Sequence, residues 1–302
     1  MAETILKVAG LRKSYKHKAV LDGVNMTIQK GDIYGFVGKN GAGKTTLIRI
    51  LAGLVEADQG EYELFGVSSK SGHIDKARKK ICAMVESPAI YPDLSARDNL
   101  KMQCLITGKD FSGIQDLLEF VDLAKTGKKK AKDFSLGMRQ RLGIALALVS
   151  EPELLLLDEP INGLDPEGIR QVRELLLKMH REKQVTILIS SHILTELSLF
   201  ATRYGFIDDG QIIQEVLPEE IARNTAESCY IECDDPVRAR AILMRLGYCA
   251  VPEQCGLRVD SDIDLMAVCR EFDGAGIRLT KHLRSQMDLE DYFMELIGGV
   301  RQ

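Results

Sequence analysis

The chain has 302 residues, a formal net charge of −4, 45% apolar residues and 28% charged ones, the balance of a soluble globular protein with one large domain and room for a small second one. The mild negative charge argues against a general nucleic-acid binder, and no apolar run approaches the ~18 residues that cross a bilayer; the longest, LGIALALV at 142–149, stops after eight. The start, MAETILKVAG, lacks the charged and apolar regions of a signal peptide, so the chain is expected in the cytoplasm, and it would serve a membrane process only through another protein.

Three strands open the chain, at 4–10, 19–28 and 32–38, separated by Gly and Lys turns. A helix follows from Thr45 with the apolar face Leu47, Ile48, Ile50, Leu51 and Leu54. Residues 60–85 read as short strands around a basic segment, and 95–124 as helical, with Ser95 and Asp98 spaced as a capping serine and its acidic partner. Lys128, Lys129, Lys130 and Lys132 read as a solvated loop. A helix is expected from Ser135 to Val149, then the strand of LLLLDEP at 154–160, a helix at 166–183, the strand VTILISS at 185–191, a helix from 193 and a hairpin at 204–215. Strands alternating with helices predict a parallel sheet covered by helices.

From about 226 the rhythm changes to β, α, β, β, α, β and a last helix, the order of the ferredoxin-like split βαβ plan. The expected division is therefore 1–225 and 226–302. Within the second part Asp260, Asp262 and Asp264 alternate like the start of a calcium loop. The glycine and the distal glutamate of such a loop are missing, so a polar turn is expected. The seven cysteines are odd in number and never spaced CxxC, which predicts reduced, mostly structural thiols.

The chemistry begins at GKNGAGKT, residues 38–45, a full G-x-x-x-x-G-K-[ST] pattern between a predicted strand and a predicted helix. Glycines at 38, 41 and 43 let backbone N–H groups turn inward, and the helix that starts there adds positive potential at its N-terminus. Lys44 supplies a charge for the β- and γ-phosphates, and Thr45 a hydroxyl for Mg²⁺. Gly38, Asn40, Gly41, Ala42, Gly43, Lys44, Thr45 and Thr46 are accordingly assigned to a nucleotide. Four leucines followed by Asp158 and Glu159 predict a buried parallel strand with two acids at its carboxyl edge, where α/β sheets bind ligands. If that strand lies beside the one feeding the phosphate loop, Asp158 reaches the Mg²⁺ shell. Glu159 is then free to take a proton from the attacking water.

Many phosphate-loop proteins share this much. The stretch DFSLGMRQRLGIALAL at 133–148, standing shortly before LLLLDEP, resembles the signature motif of ABC transporter ATP-binding subunits, with a departure at Met138. Other marks of that family stand in order: Tyr15 where an aromatic stacks on adenine, Glu86 in the Q-loop position, NGLDP at 162–166 as the D-loop with Asp165, and His192 in ISSHI as the switch histidine. The resemblance covers residues 1 to about 220. It implies an α/β P-loop NTPase of the ABC ATPase type, with a RecA-like core, an antiparallel β subdomain and a helical subdomain, ahead of a small α+β C-terminal domain.

The resemblance further implies ATP and Mg²⁺ as cofactors, a γ-phosphate contact for His192, and a homodimer in which Ser135 and Gly137 of one subunit face the nucleotide of the other. It also implies an integral-membrane permease as partner and no nucleic acid, placing the chain at the inner face of the cell membrane. Glu86 stands where the family has glutamine. A third carboxylate near Asp158 and Glu159 must ligate Mg²⁺, hold a proton or pair with a cation, and the expectation is Mg²⁺, with Ser87 to Leu94 contacting the permease. The ES-PAIYP type of Q-loop with the SLGM type of signature resembles the bacitracin-resistance and lantibiotic-immunity branch, which implies export of antimicrobial peptides or related amphiphiles. Two rival readings stay open, a soluble ABC-type ATPase acting on ribosomes or DNA, and a nucleotide-gated binding module with little turnover. For the last 75 or so residues, dimer support and ligand sensing both stay open.

Overall fold

The computed structural model of the chain describes residues 3–16, 18–224, 228–253, 255–259, 261, 263–285 and 289–300. It divides into two compact units, Met1–Leu217 and Pro218–Gln302. The boundary expected at 225/226, and the aspartates at 260 and 262, lie outside the described residues.

The first unit begins with β1 (Thr4–Tyr15), β2 (Lys18–Gln29) and β3 (Ile33–Gly38), followed by helix α1 (Lys44–Leu51). Next come β4 (Gln59–Leu64), β5 (Val67–Ser68), α2 (Ile74–Arg78) and β6 (Ile81–Met84). Helices α3 (Ala96–Thr107), α4 (Ile114–Phe120) and α5 (Leu136–Leu148) precede β7 (Leu154–Asp158), α6 (Pro166–Lys183), β8 (Thr186–Ser191) and α7 (Leu194–Leu197). The hairpin β9 (Arg203–Asp208) and β10 (Gln211–Val216) completes it.

Two sheets result. An antiparallel one runs β2-β1-β4-β5, and a six-stranded one runs β10-β9-β3-β8-β7-β6, parallel from β9 to β6 with β10 as an antiparallel edge. Every residue of β3, β7 and β8 is buried, as a sheet covered on both faces requires. Each leucine of β7 buried in this way contributes roughly 1.5–3 kcal/mol relative to exposure. One apolar core joins the sheets, with Leu47, Ile48 and Leu51 of α1 packed among Leu21 and Met26 of β2, Phe36 of β3 and Leu154 and Leu156 of β7.

The structure changes three readings. The first strand continues to Tyr15 because Gly10, at φ +60°, sits in a register shift between Val8 and Leu11; it bends the strand as a bulge instead of ending it. The helical stretch 95–124 is two helices, since Gly108 at φ +69° closes α3. Ser95 does cap α3, accepting from the Asp98 amide at 3.1 Å and donating to its carboxylate at 2.7 Å. Third, β8 lies between β3 and β7, so the leucine strand is not the neighbour of the strand that feeds the phosphate loop.

Sheet registration in this unit also depends on a buried polar tie. The Tyr34 hydroxyl, fully buried, donates to Glu215 Oε1 at 2.9 Å, and the same oxygen accepts from the Thr27 amide at 3.1 Å. Burial and the adjacent carboxylate hold the phenol well above its ordinary range. Tyr34→Phe removes one bond to a charged acceptor and is expected to destabilise the unit by about 1.5–3 kcal/mol. Urea unfolding followed by tyrosine fluorescence checks this, and a loss below about 0.5 kcal/mol would refute the tie.

The second unit contains α8 (Pro218–Asn224), β11 (Ser228–Cys233), α9 (Pro236–Arg245), β12 (Ala250–Glu253), β13 (Gly256–Val259), α10 (Leu265–Gly274), β14 (Leu279–Ser285) and α11 (Leu289–Val300). Its sheet runs β12-β13-β11-β14 with every neighbouring pair antiparallel. Hence β11 and β12 are parallel across β13, and β13 and β14 are parallel across β11, with α9 and α10 as the crossovers. That is the pattern of two interlocked split βαβ units. Ala239 and Leu243 of α9 and Val268 and Phe272 of α10 pack on Ile231, Leu257 and Val259 of the sheet.

Candidate nucleotide site

The site lies at the carboxyl edge of the parallel sheet, where β3, β7 and β8 end. After β3 the chain must turn sharply past its neighbours. A Cβ at Gly38 would stand 2.5 Å from the Ile207 carbonyl oxygen, and Gly43 combines φ +111° with a Cβ position 2.6 Å from the Val20 carbonyl oxygen, so both demand glycine. In the loop between them the Ala42 amide bonds the Lys39 carbonyl. The amides of Asn40, Gly41 and Gly43 find no acceptor among the described residues. They form an anion cradle at the start of α1.

Lys44 is only 5% exposed. Its ammonium donates to the carbonyls of Gly38 at 2.6 Å and Lys39 at 3.2 Å and stands 3.3 Å from Glu159 Oε1. Thr45 Oγ1 donates to Asp158 Oδ2 at 2.7 Å, and Ser190 Oγ donates to Asp158 Oδ1 at 2.7 Å. Asp158, 2% exposed, is thus held by two neutral hydroxyls with no ion pair among the described residues. A buried carboxylate so placed is short of positive charge.

Glu159 adopts φ +50°, an uncommon conformation for a non-glycine residue and one that collects at functional sites. Its amide is fixed by Ser190, donating to Oγ at 3.0 Å and to the carbonyl at 3.2 Å. Its carboxylate meets Lys44 through Oε1 and His192 Nδ1, at 2.8 Å, through Oε2. The intervening strand therefore shapes the site: β8 contributes Ser190 and delivers His192 just beyond its end.

The comparisons agree with this geometry. A family model described as ABC transporter matches residues 21–162. The chain is 39% identical over 302 residues, 98% of each chain, to the "Bacitracin transport ATP-binding protein BcrA" of Bacillus licheniformis. It is 44% identical over 211 residues, 70% of this chain and 90% of the other, to the "Lantibiotic transport ATP-binding protein SrtF" of Streptococcus pyogenes. The chain belongs to the ABC transporter ATP-binding proteins. Among solved structures it resembles cbiO1 of Clostridium perfringens, part of the ABC transporter complex cbiONQ, with a TM-score of 0.66 and 26% identity over 81% of this chain and 96% of that one.

As a member of this ABC family the chain is an ATP-binding, ATP-hydrolysing subunit, and its other expected residues can be placed. Ser135 caps α5, its hydroxyl accepting from the Met138 amide at 3.2 Å. Gly137 has no close neighbour that forbids a side chain, the nearest atom to an added Cβ being 3.6 Å away. Asp165 caps α6 by accepting from the Gly168 amide at 3.0 Å. No hydrogen bond among the described residues joins these three to the Lys44–Thr45–Asp158–Glu159–His192 cluster. Tyr15 ends β1 as a ring 43% exposed, with Lys13 Nζ 5.6 Å from its centre.

Glu86 lines one pocket with Thr45, Asp158 and Glu159. Its side chain, 67% exposed, accepts from the Arg49 guanidinium at 2.6 Å, so the cation that balances this third carboxylate is Arg49. The oxygens of Thr45 and Asp158 are hydrogen-bonded to each other, whereas no hydrogen bond among the described residues joins Glu86 to either.

Reading the sequence missed Ser190 and Arg49. Ser190 had a signal, a polar residue at the end of an apolar strand, the same signal that exposed Asp158. Arg49 had a weaker one, since it stands one turn after Thr45 on α1. Ser190→Ala removes a bond from Asp158 and one from the Glu159 amide. It should lower ATP turnover about tenfold, roughly 1.4 kcal/mol of transition-state stabilisation, as a steady-state phosphate-release assay would show; an unchanged rate would make Ser190 merely structural.

Proposed function

We propose that the chain is the energy-coupling ATPase of a transporter that moves bacitracin-type or lantibiotic-type peptides away from the membrane, acting as a homodimer on a separate integral-membrane permease at the inner membrane face. The observation that carries the ATPase reading is the chain of contacts from Thr45 through Asp158 and Ser190 to Glu159 and His192, beside an open cradle of backbone amides. The cargo reading is supported by the likeness to BcrA and SrtF. No helix among the described residues is long and apolar enough to cross a membrane, and the reading places the permease on another chain.

In this reading the cradle and Lys44 bind the β- and γ-phosphates, and Tyr15 stacks on the base. The oxygens of Thr45 and Asp158 suit a hard cation, and the uncompensated charge of Asp158 favours one, so these residues would hold Mg²⁺. The metal would supply charge neutralisation on the phosphate oxygens. Glu159 accepts the proton of the attacking water, and His192, bonded to Glu159 Oε2, orients that carboxylate and faces the γ-phosphate. Ser135 and Gly137, at the start of α5, complete the nucleotide site of the second subunit, so that ATP closes the dimer and hydrolysis releases it.

Co-expression with the permease in a bacitracin-sensitive host tests the cargo. The wild type should raise the tolerated bacitracin or lantibiotic concentration several-fold, and Asp158→Asn should abolish that protection. No change in tolerance to either peptide class would overturn the cargo reading and leave the ATPase reading standing. For the metal, Asp158→Asn should raise the Mg²⁺ concentration for half-maximal turnover at least tenfold, whereas Glu86→Gln should leave it within about twofold. The reverse order would return Glu86 to the metal.

A further inference from the structure

In the second unit a cleft of about 480 Å³ opens between α9 and α10. It exists because facing positions are small, Ala241 on one side and Gly274 and Ala275 on the other. Arg238 and Arg245 stand two turns apart along α9, and Arg270 faces them from α10. Two of these arginines also tie the helices together. Arg238 donates to the Ala275 carbonyl at 2.6 Å and stands 3.8 Å from Asp235, and Arg245 pairs with Glu271. Arg270 makes no hydrogen bond or ion pair with any described residue.

The lining therefore holds three guanidinium groups; Glu271 balances Arg245 and Asp235 stands by Arg238, which leaves Arg270 as a surplus of one positive charge in a chain whose net charge is −4. Gathering arginines in one concave place of an acidic protein, one of them without a counter-charge, raises the local potential for anions. Each guanidinium carries five donors in a rigid fork, and Arg238 and Arg245 commit only part of theirs. A single carboxylate needs one such fork; the free fork of Arg270, with the uncommitted donors of Arg238 and Arg245 lining the same cleft, suits the several outer oxygens of a phosphate. Val237, Met244 and Met266 are exposed near these arginines in the chain, Val237 next to Arg238, Met244 next to Arg245, and Met266 one turn before Arg270.

We propose that this cleft is a binding site for a phosphate group, carried either by a free phosphorylated molecule or by an anionic lipid headgroup, and that Arg270 is its principal ligand. The site is separate from the phosphate loop and belongs to the unit whose fold alone assigns it no task.

The test uses the full chain with its nucleotide site saturated by ADP, so that the phosphate loop does not compete. Methionine methyl ¹³C resonances of Met244 and Met266 are followed while inorganic pyrophosphate is added, and in parallel the chain is sedimented with phosphatidylglycerol or phosphatidylcholine vesicles. Saturable shifts of both methyl signals by pyrophosphate, weakened at least tenfold in Arg270→Ala and partly restored in Arg270→Lys, support a free phosphorylated ligand. Sedimentation with phosphatidylglycerol alone, lost in Arg270→Ala, supports the lipid headgroup. Arg270 is exposed and unpartnered, so its removal leaves the fold intact. The proposal is overturned by methyl signals indifferent to pyrophosphate together with equal behaviour towards both vesicles. It is equally overturned by responses that survive both Arg270→Ala and Arg245→Ala.

Discussion

Glu159→Gln is expected to lower ATP turnover by about 10²–10⁴-fold, the range of a lost general base, while ATP still binds. Glutamine keeps the size of the side chain and leaves the backbone bonds from residue 159 to Ser190 in place. It loses the carboxylate that Lys44 and His192 both approach, and with it the group proposed to accept the proton of the attacking water. If hydrolysis opens the proposed dimer, the variant should also accumulate as an ATP-bound dimer on size exclusion. Single-turnover kinetics with radiolabelled ATP measures the first effect. Undiminished hydrolysis would show that another group takes the proton, and His192 would be the next to substitute.

Lys44→Ala comes second in expected effect and acts on binding. The ammonium is buried and reaches two loop carbonyls and Glu159. Removing it takes away a charge-assisted contact to phosphate worth about 1.5–3 kcal/mol and leaves Glu159 without its cation. ATP affinity should fall about 10–100-fold, and turnover should fall further. Lys44→Arg should rescue little, because a planar fork does not fit where a compact ammonium is 5% exposed. Titration with a fluorescent ATP analogue measures the loss, and an affinity within twofold of wild type would refute the role.

Much of this site was legible because its residues break local rules. Glycines at 38 and 43 stand where side chains would strike Ile207 and Val20, and two acids end a strand of leucines. Such violations are visible in one dimension. The order of strands is not: β8 comes after β7 in the chain yet inserts between β7 and β3, and nothing in VTILISS announces its neighbours. That insertion is what makes Ser190 a partner of both Asp158 and Glu159. Arg49 and Glu86 are 37 residues apart, so their pairing depends on how the segment after β6 folds back towards α1. Gly10 was misread for a local reason, since a glycine that ends a strand and one that bulges it look alike until register is known. In the second unit the β-α-β-β-α-β order was plain from periodicity, but the arginine cleft arises from two helices and three separated residues with no motif among them.

The central claim is that each hydrolytic centre is built from two chains, the phosphate loop of one and Ser135 of the other. Mixing two inactive variants tests it most directly. Lys44→Ala lacks a working loop but keeps its signature serine, whereas Ser135→Arg keeps its loop and lacks the signature. Each alone should hydrolyse ATP at the background rate. Mixed in equal amounts, half of the dimers pair one of each and contain one complete site, so about one quarter of wild-type activity should return. Full activity of Ser135→Arg on its own, or no recovery on mixing at concentrations where the mixed dimer forms, would contradict the account.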